Sequence, residues 1–206
     1  MMASAAFRIR DKHSWLSQLD SVAGDGDHGS AMLRTMDRLE KAFAGEAPAD
    51  LKICFCEAGW GILGADGGAS TSLIGAFFLG IGEATAAGVP SWNCGELAAA
   101  LQAGLKAVQV QTRAQPGDKT MMDALTPAVR AFAEAAQAGK NIGPALEAAA
   151  RAAKAGAEAT MNMTARYGRA RLLGEKTLGY QDPGAASIAL IFEGFYQGIQ
   201  QSEGAA

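Results

Sequence analysis

The sequence is poor in charge, in aromatic residues and in cysteine. Only 19% of its 206 residues are charged, and the net charge is -3. The chain therefore lacks the basic field that nucleic acids need, and we expect no nucleic-acid partner. The three cysteines, Cys54, Cys56 and Cys94, are an odd number without C-x-x-C spacing. This pattern argues against a disulfide framework or a zinc knuckle and predicts buried, free thiols.

Long apolar runs are also lacking. No segment approaches the length needed to span a bilayer, and the first residues, MMASAAFRIRDKHSW, have no apolar run after their charges. We therefore expect a soluble, cytoplasmic protein that does not associate with membranes. A chain of 206 residues is long enough for one buried core. We expect a single domain over residues 1–206.

Glycine and aspartate, in contrast, are concentrated in residues 19–30, LDSVAGDGDHGS. Asp20, Asp25 and Asp27 lie within eight positions, and His28 follows them. Alternating glycines do not sustain a regular helix, so we predict a tight turn that brings the three carboxylates together. Neighbouring carboxylates repel one another unless a cation or a proton compensates, and hard oxygen ligands suit Mg²⁺ or Ca²⁺. The stretch therefore predicts a divalent metal site.

Magnesium fits this stretch better than calcium. An EF-hand loop starting at Asp25 would need Gly and Glu where Ser30 and Met36 stand. Mg²⁺ usually shares its coordination between a few carboxylates, water and substrate phosphates, so the turn suggests a bound nucleotide. The alternative is an ordinary solvated Asp-Gly turn at the start of a helix.

Helical periodicity dominates the rest of the chain, and we predict an all-α fold of about eight helices. A G-x-G-x-x-G pattern at Gly59, Gly61 and Gly64 resembles a dinucleotide-binding fingerprint, but alternating strands are missing around it. We interpret residues 51–63 as a helix with close-packing glycines. The predicted helices are 7–18, 30–44 ended by Gly45, 51–63, 73–87, 94–110 capped by Asn93, a helix capped by Asp118 and kinked or restarted at Pro127, 141–165, and a final helix opened by Asp182 and Pro183.

Three further polar loops lie between these helices. Residues 64–72, GADGGASTS, precede a helix, as a phosphate site or a plain interhelical turn would. Residues 115–123, QPGDKTMMD, contain Lys119 and Thr120 without the glycines of a Walker A sequence. Residues 167–185, together with the preceding Arg166, carry a cluster of cations that suits polyphosphate oxygens. These cations are Arg166, Arg169, Arg171 and Lys176.

Four stretches together resemble one family. LDSVAGDGDHGSAM, GGAS, PGDKTMMDAL and GRARLLGEKTLGYQDPGA are similar, in order and spacing, to the nucleotide-binding L subunits (DhaL) of dihydroxyacetone kinases, and the resemblance covers essentially the whole chain. It implies an antiparallel barrel of eight helices that binds ATP or ADP through two Mg²⁺ in the loops at one end. It also implies transfer of the terminal phosphate to dihydroxyacetone or a related ketose carried on a separate K subunit. Other implied partners are a phosphotransferase-system phosphoryl donor and, as one option, a second copy of the chain.

The resemblance also assigns roles to individual residues. Asp20, Asp25 and Asp27 would bind the metals and, with Arg169, form the catalytic set. The nucleotide would be lined by His28, Gly29, Ser30, Ala69, Ser70, Thr112, Met121, Arg169, Asp182, Pro183 and Gly184.

The chain departs from the family pattern near these positions. Ala31 replaces a usual Asn, Thr71 and Ile74 replace the Gly and the aromatic of GGASG-x-x-[YF]G, and Arg171 and Leu172 replace the Ser-Tyr of GRASYLG. A Mg-nucleotide-binding regulatory or interaction subunit without turnover is therefore an alternative. A purely structural helical domain would show no Mg-dependent nucleotide affinity.

Overall fold

A computed structural model describes residues 1–44 and 50–204, except for the side chain of Glu203. These residues form eight α-helices and two 3₁₀ segments, with no strand among them. The α-helices are α1 (Met2–Ser21), α2 (His28–Ala42), α3 (Leu51–Leu63), α4 (Ala69–Ala84), α5 (Cys94–Gln111), α6 (Met122–Gln137), α7 (Ile142–Ala159) and α8 (Pro183–Gly204). The 3₁₀ segments are Thr160–Asn162 and Arg169–Thr177. The predicted all-α fold is confirmed.

The helices form a closed antiparallel barrel. Each helix packs against the next one in the chain, and α8 packs against α1 to close the ring. The even-numbered helices therefore begin at one end of the barrel, where the loops 22–27, 64–68, 112–121 and 163–182 meet; we call this the polar end. The opposite end, where the odd-numbered helices begin, encloses a cavity of about 670 Å³ lined mainly by apolar side chains; we call it the apolar end.

Close helix contacts explain part of the glycine content. A Cβ added to Gly59 would lie 2.6 Å from the backbone nitrogen of Leu79, so α3 and α4 approach closely only because this position has no side chain. The interpretation of Gly59 as a close-packing glycine is confirmed. It is wrong for Gly61, where a Cβ would make an ordinary contact with Arg38 at 3.7 Å.

Several predicted helix bounds differ from those observed. α1 extends over 2–21 rather than 7–18, because the buried small residues Ala5 and Ala6 add to its apolar face. α2 begins at position 28 rather than 30, and Gly45, its predicted end, lies outside the described residues. α4 covers 69–84 rather than 73–87, and α7 ends at position 159, after which the chain tightens into a 3₁₀ turn.

The start of α6 differs from prediction in two ways. Asp118 does not cap this helix; its carboxylate accepts a hydrogen bond from the N–H of Gln115 inside the preceding turn, at 2.9 Å. The helix also runs through Pro127 instead of restarting there. Proline has no N–H for the carbonyl of Asp123, four residues earlier. That carbonyl lies against Gly156 of α7, where a Cβ would collide with it, so a glycine on the neighbouring helix makes room for this oxygen.

Two expectations from composition can be compared with the structure. Cys54, Cys56 and Cys94 are free thiols, as expected, but they are half-buried rather than fully buried. In the described part of the chain, no helix combines the length and the apolar character that a membrane span requires.

Candidate functional site

The three aspartates of residues 19–30 lie together at the polar end. Asp20 belongs to the last turn of α1, and Asp25 and Asp27 follow in the loop; one carboxylate oxygen from each lies within 4.8 Å of the others. Gly24 permits this arrangement, because a Cβ there would collide with the carboxylate of Asp20. Gly26 adopts a φ of +76°, which favours glycine. The predicted tight turn that gathers the carboxylates is confirmed.

The electrostatics of the cluster favour a cation. Asp25 forms an ion pair with Arg169, and a hydrogen bond from this guanidinium lowers the pKa of the carboxyl. The pKa of Asp27 is raised, first by partial desolvation and then by the negative charge of Asp25. Asp27 directly precedes α2, but its carboxylate makes no capping hydrogen bond within the described residues. It therefore does not behave as a simple helix cap, and the hard oxygen donors of the cluster fit Mg²⁺.

His28 anchors the start of α2. The residue is only 8% exposed, and its Nε2 lies 2.8 Å from the hydroxyl oxygen of Ser187 on α8. Its backbone N–H donates to a carboxylate oxygen of Asp20 at 3.4 Å. Burial lowers the pKa of the imidazole, so His28 is neutral at pH 7. The side chain thus connects the turn that carries the three carboxylates to the first turns of α8.

A cavity of about 350 Å³ opens beside the carboxylates. Its walls come from all four polar loops and include the first residues of α2, α4 and α8. Of these three helices, α4 begins without a side-chain cap among the described residues, and its free N–H groups attract anions. The sequence-predicted residues that line it are Asp20, Asp25, Asp27, His28, Ala69, Ser70, Thr112, Met121, Arg169, Asp182, Pro183 and Gly184. Gly29 and Ser30 are not part of this lining. Gly29 packs against the backbone carbonyl of His13 on α1, and Ser30 is exposed.

Three loops converge at Gly184, at the start of α8. A Cβ at this position would lie 3.1 Å from the Ser70 hydroxyl oxygen and 3.3 Å from the Met121 side chain. Asp182 accepts a hydrogen bond from the N–H of Ala185 at 2.7 Å, which confirms its predicted role as a helix cap. Burial raises the pKa of Asp182 to about 7. The absence of a side chain at Gly184 keeps this corner of the cavity open.

The departures from the family pattern lie in different surroundings. Ala31 and Thr71 line the cavity, and the buried hydroxyl of Thr71 has no hydrogen-bond partner among the described residues. Ile74 is buried in the core. Arg171 and Leu172 lie on the 3₁₀ segment at the cavity mouth, where Leu172 is 83% exposed.

The cavity also contains residues that sequence reasoning missed. Lys119 and Thr120 line it, although the turn that contains them lacks a Walker A sequence and therefore did not indicate a phosphate site. Tyr167 and Gly168 line it as well, next to Arg169. The local signal for Lys119 was its place in a polar turn before a helix, but nothing in the sequence indicated the direction of its side chain.

Fold and site together define an all-helical barrel with a cluster of three carboxylates, which could hold a metal ion, and an anion-attracting cavity at one end. The chain belongs to the DAK2 domain family, which matches residues 22–197. It is 34% identical to "PEP-dependent dihydroxyacetone kinase 1, ADP-binding subunit DhaL" of Listeria innocua, over 92% of this chain and 89% of that protein. The resemblance to the L subunits is thereby confirmed.

Longer proteins contain a similar region. The chain is 41% identical to "L-erythrulose 1-kinase" of Mycolicibacterium smegmatis, over 89% of this chain but 32% of that protein. The crystal structure of the dihydroxyacetone kinase from C. freundii in complex with AMP-PNP and Mg²⁺ superimposes with a TM-score of 0.71 at 29% identity. That similarity covers 96% of this chain and 33% of the crystallised one.

Proposed function

We propose that this chain is the Mg-nucleotide-binding, phosphoryl-transferring L subunit of a kinase that acts on dihydroxyacetone or a related ketose. Residues 1–206 would form one nucleotide-binding domain that works in the cytoplasm. One observation carries the proposal: three carboxylates lie within reach of one cation, beside a cavity bounded by helix N-termini and Arg169. The Listeria innocua relative, named as an ADP-binding subunit of such a kinase, supports it.

Each part of the site has a separate role in this proposal. Asp20, Asp25 and Asp27 hold two Mg²⁺, which neutralise phosphate charge when bound. The N–H groups that begin α4 bind phosphate oxygens, and Arg169 adds positive charge at the mouth. His28 is neutral and buried, so it orients the turn and does not supply charge. Phosphoryl transfer depends mainly on such positioning and charge neutralisation.

The ketone acceptor would be carried by a separate K subunit. This chain has only two histidines: His28 is buried against Ser187, and His13 lies on α1 and is not part of the cavity lining. The relative named PEP-dependent supports a form in which a phosphotransferase-system protein rephosphorylates bound ADP. The relative named L-erythrulose 1-kinase supports a tetrulose as an alternative acceptor. A second copy of the chain is not required by this proposal.

Calorimetric titration with ATP and with ADP, each with and without Mg²⁺, tests the nucleotide site. We expect Mg-dependent binding that Asp25→Asn abolishes. Asp37→Asn is a matched control, because Asp37 is also an exposed carboxylate paired with an arginine, Arg10, but lies further along α2. A strong preference for ADP favours the phosphotransferase form. Failure of the wild-type chain to bind either nucleotide with Mg²⁺ overturns the proposal.

A regulatory subunit without turnover is the second candidate. It is favoured by the departures from the family pattern at the cavity, above all Ala31 and Thr71. These residues change the lining of the cavity, while the three carboxylates are retained. Ketose phosphorylation by the chain in the presence of a K subunit and a phosphoryl donor decides between the two. Product formation refutes the regulatory candidate, and Mg-dependent binding without product supports it.

A further inference from the structure

Lys119 is a buried cation that connects three segments of the polar end. The residue is 5% exposed, and its Nζ donates to the backbone carbonyl oxygens of Thr160, at 2.5 Å, and Tyr180, at 2.6 Å. Lys119 precedes α6, Thr160 follows α7, and Tyr180 precedes α8, so these bonds join positions 41 and 61 residues apart. Burial lowers the pKa of the Lys119 ammonium, because it disfavours the charged form. The hydrogen bonds to the two carbonyl oxygens offset part of this cost and help to keep the charged side chain in its buried position.

The backbone around Lys119 supports this inward direction. Its φ of +59° is the only positive value at a non-glycine residue in the described ranges, and such a conformation costs about 1–2 kcal/mol. The turn is held by the carboxylate of Asp123, which accepts hydrogen bonds from the N–H groups of Gly117, at 2.5 Å, and Thr120, at 2.7 Å. An unfavourable backbone conformation is thus maintained by hydrogen bonds on both sides of the lysine.

The connection extends to the nucleotide cavity. The hydroxyl oxygen of Thr160 accepts a hydrogen bond from the N–H of Asp182 at 2.9 Å, and Asp182 caps α8 through Ala185. Met121, two residues after Lys119, lies beside Gly184 in the same corner of the cavity. Lys119 therefore fixes, through Thr160 and Tyr180, how the start of α8 faces the start of α6.

A lysine in a phosphate site usually binds the phosphates directly. Here two of the three ammonium donors are directed to protein carbonyls at short distances. Accepting the proposed function, we propose that Lys119 is a positioning residue of the nucleotide site, which holds the loops before α6 and α8 in the arrangement that nucleotide binding requires.

Lys119→Met tests this assignment, with Lys52→Met as the matched control. Lys52 also donates to a backbone carbonyl, that of Thr85 at 3.3 Å, but near the apolar end. Calorimetry should show ADP affinity, in the presence of Mg²⁺, at least 10-fold weaker for Lys119→Met and within twofold of wild type for Lys52→Met. With a K subunit and ATP, the KM for ATP should rise by more than kcat falls.

Circular dichroism decides which variants are folded at the titration temperature. If Lys119→Met is folded and binds ADP within twofold of wild type, the inference is wrong. If it does not fold, Lys119→Gln provides the test, because its shorter, uncharged amide side chain cannot reproduce both hydrogen bonds of Lys119, to Thr160 and to Tyr180. Weaker ADP binding by this variant supports the inference, and unchanged binding overturns it. Absence of binding by the wild type, in contrast, refutes the proposed function itself.

Discussion

The start of α4 at the polar end differs from the starts of α3 and α5 at the apolar end in how the first N–H groups of the helix are satisfied. At the apolar end, Asp50 accepts hydrogen bonds from the first N–H groups of α3, and Asn93 forms a reciprocal capping box with Glu96 at the start of α5. At the polar end, α4 begins after Gly68 and, within the described residues, receives no side-chain capping bond. Uncapped N–H groups beside a cavity are available to a ligand, whereas capped ones are not.

The cavities at the two ends of the barrel differ in size and in the chemistry of their linings. The larger one, about 670 Å³, is lined by side chains such as Phe55, Phe78 and Trp92, while the smaller one, about 350 Å³, contains the carboxylates and Arg169. Cavity size alone would therefore direct attention to the apolar end. The chemistry of the lining indicates the polar end instead, because converging charged and polar groups fix the orientation of a ligand.

The largest effect is expected from a substitution that separates stability from binding. Phe78 is 1% exposed and lies against Phe55 and Phe77 at the apolar end. Phe78→Ala should lower the free energy of unfolding by about 3 kcal/mol or more, because it removes a buried ring and enlarges a cavity. Urea unfolding measures this loss. ADP affinity, measured where the variant is still folded, should not change, and a large loss of affinity would show that the two ends are coupled.

A smaller effect is expected where α2 crosses α1. A Cβ at Gly29 would collide with the His13 carbonyl, so Gly29→Ala should destabilise the protein by about 1–3 kcal/mol and weaken ADP binding by displacing the start of α2. Gly61→Ala is the control, because its Cβ would make an ordinary contact with Arg38. It should stabilise the protein by about 0.5–1 kcal/mol, since alanine is the better helix former. Thermal unfolding of both variants measures these changes in stability. Equal shifts of the unfolding temperature for Gly29→Ala and Gly61→Ala would contradict this reasoning.

The sequence predicted those parts of the site that depend on local pattern. The turn that gathers Asp20, Asp25 and Asp27 followed from alternating glycines, and the capping roles of Asn93 and Asp182 followed from residue type before an apolar periodic segment. These features involve neighbours in the chain, so their physical cause lies within a few residues.

Features that depend on contacts between distant segments were not predictable. Asp118 was the expected cap of α6, but Asp123 makes the hydrogen bonds that hold the preceding turn. The sequence around Lys119 shows only a lysine without a Walker A pattern. Its hydrogen-bond partners, Thr160 and Tyr180, are far away in the chain and are brought to it only by the closed ring of helices, so its role could not be predicted. Gly29 was expected to line the nucleotide, yet its place is determined by the approach of α1.

Removing a cap at the apolar end should affect stability alone. Asn93→Ala deletes the hydrogen bond that the Asn93 side chain accepts from the N–H of Glu96 at 2.9 Å. The expected loss is about 1 kcal/mol of unfolding free energy, the usual value for an N-cap. Urea unfolding and ADP titration of the same sample provide the measurement. A change in nucleotide affinity comparable to the change in stability would remove the distinction between the ends.

Adding a cap to α4 at the polar end should have the smallest effect on stability. It should raise the free energy of unfolding slightly and weaken nucleotide binding. Gly68 has φ -74° and free space around its Cβ position, so Gly68→Ser is accommodated without strain. Its hydroxyl would accept from the first N–H groups of α4 and stabilise the nucleotide-free protein by a few tenths of a kcal/mol.

The same hydroxyl would compete with phosphate for those N–H groups, so Gly68→Ser should weaken ADP binding severalfold. Asn141→Ser is the control, because α7 begins at the apolar end and its Asn141 makes no capping bond to the residues described. It should leave ADP affinity unchanged. If Gly68→Ser binds ADP as tightly as the wild type, the open start of α4 does not contact the nucleotide, and its lack of a cap has no role in binding.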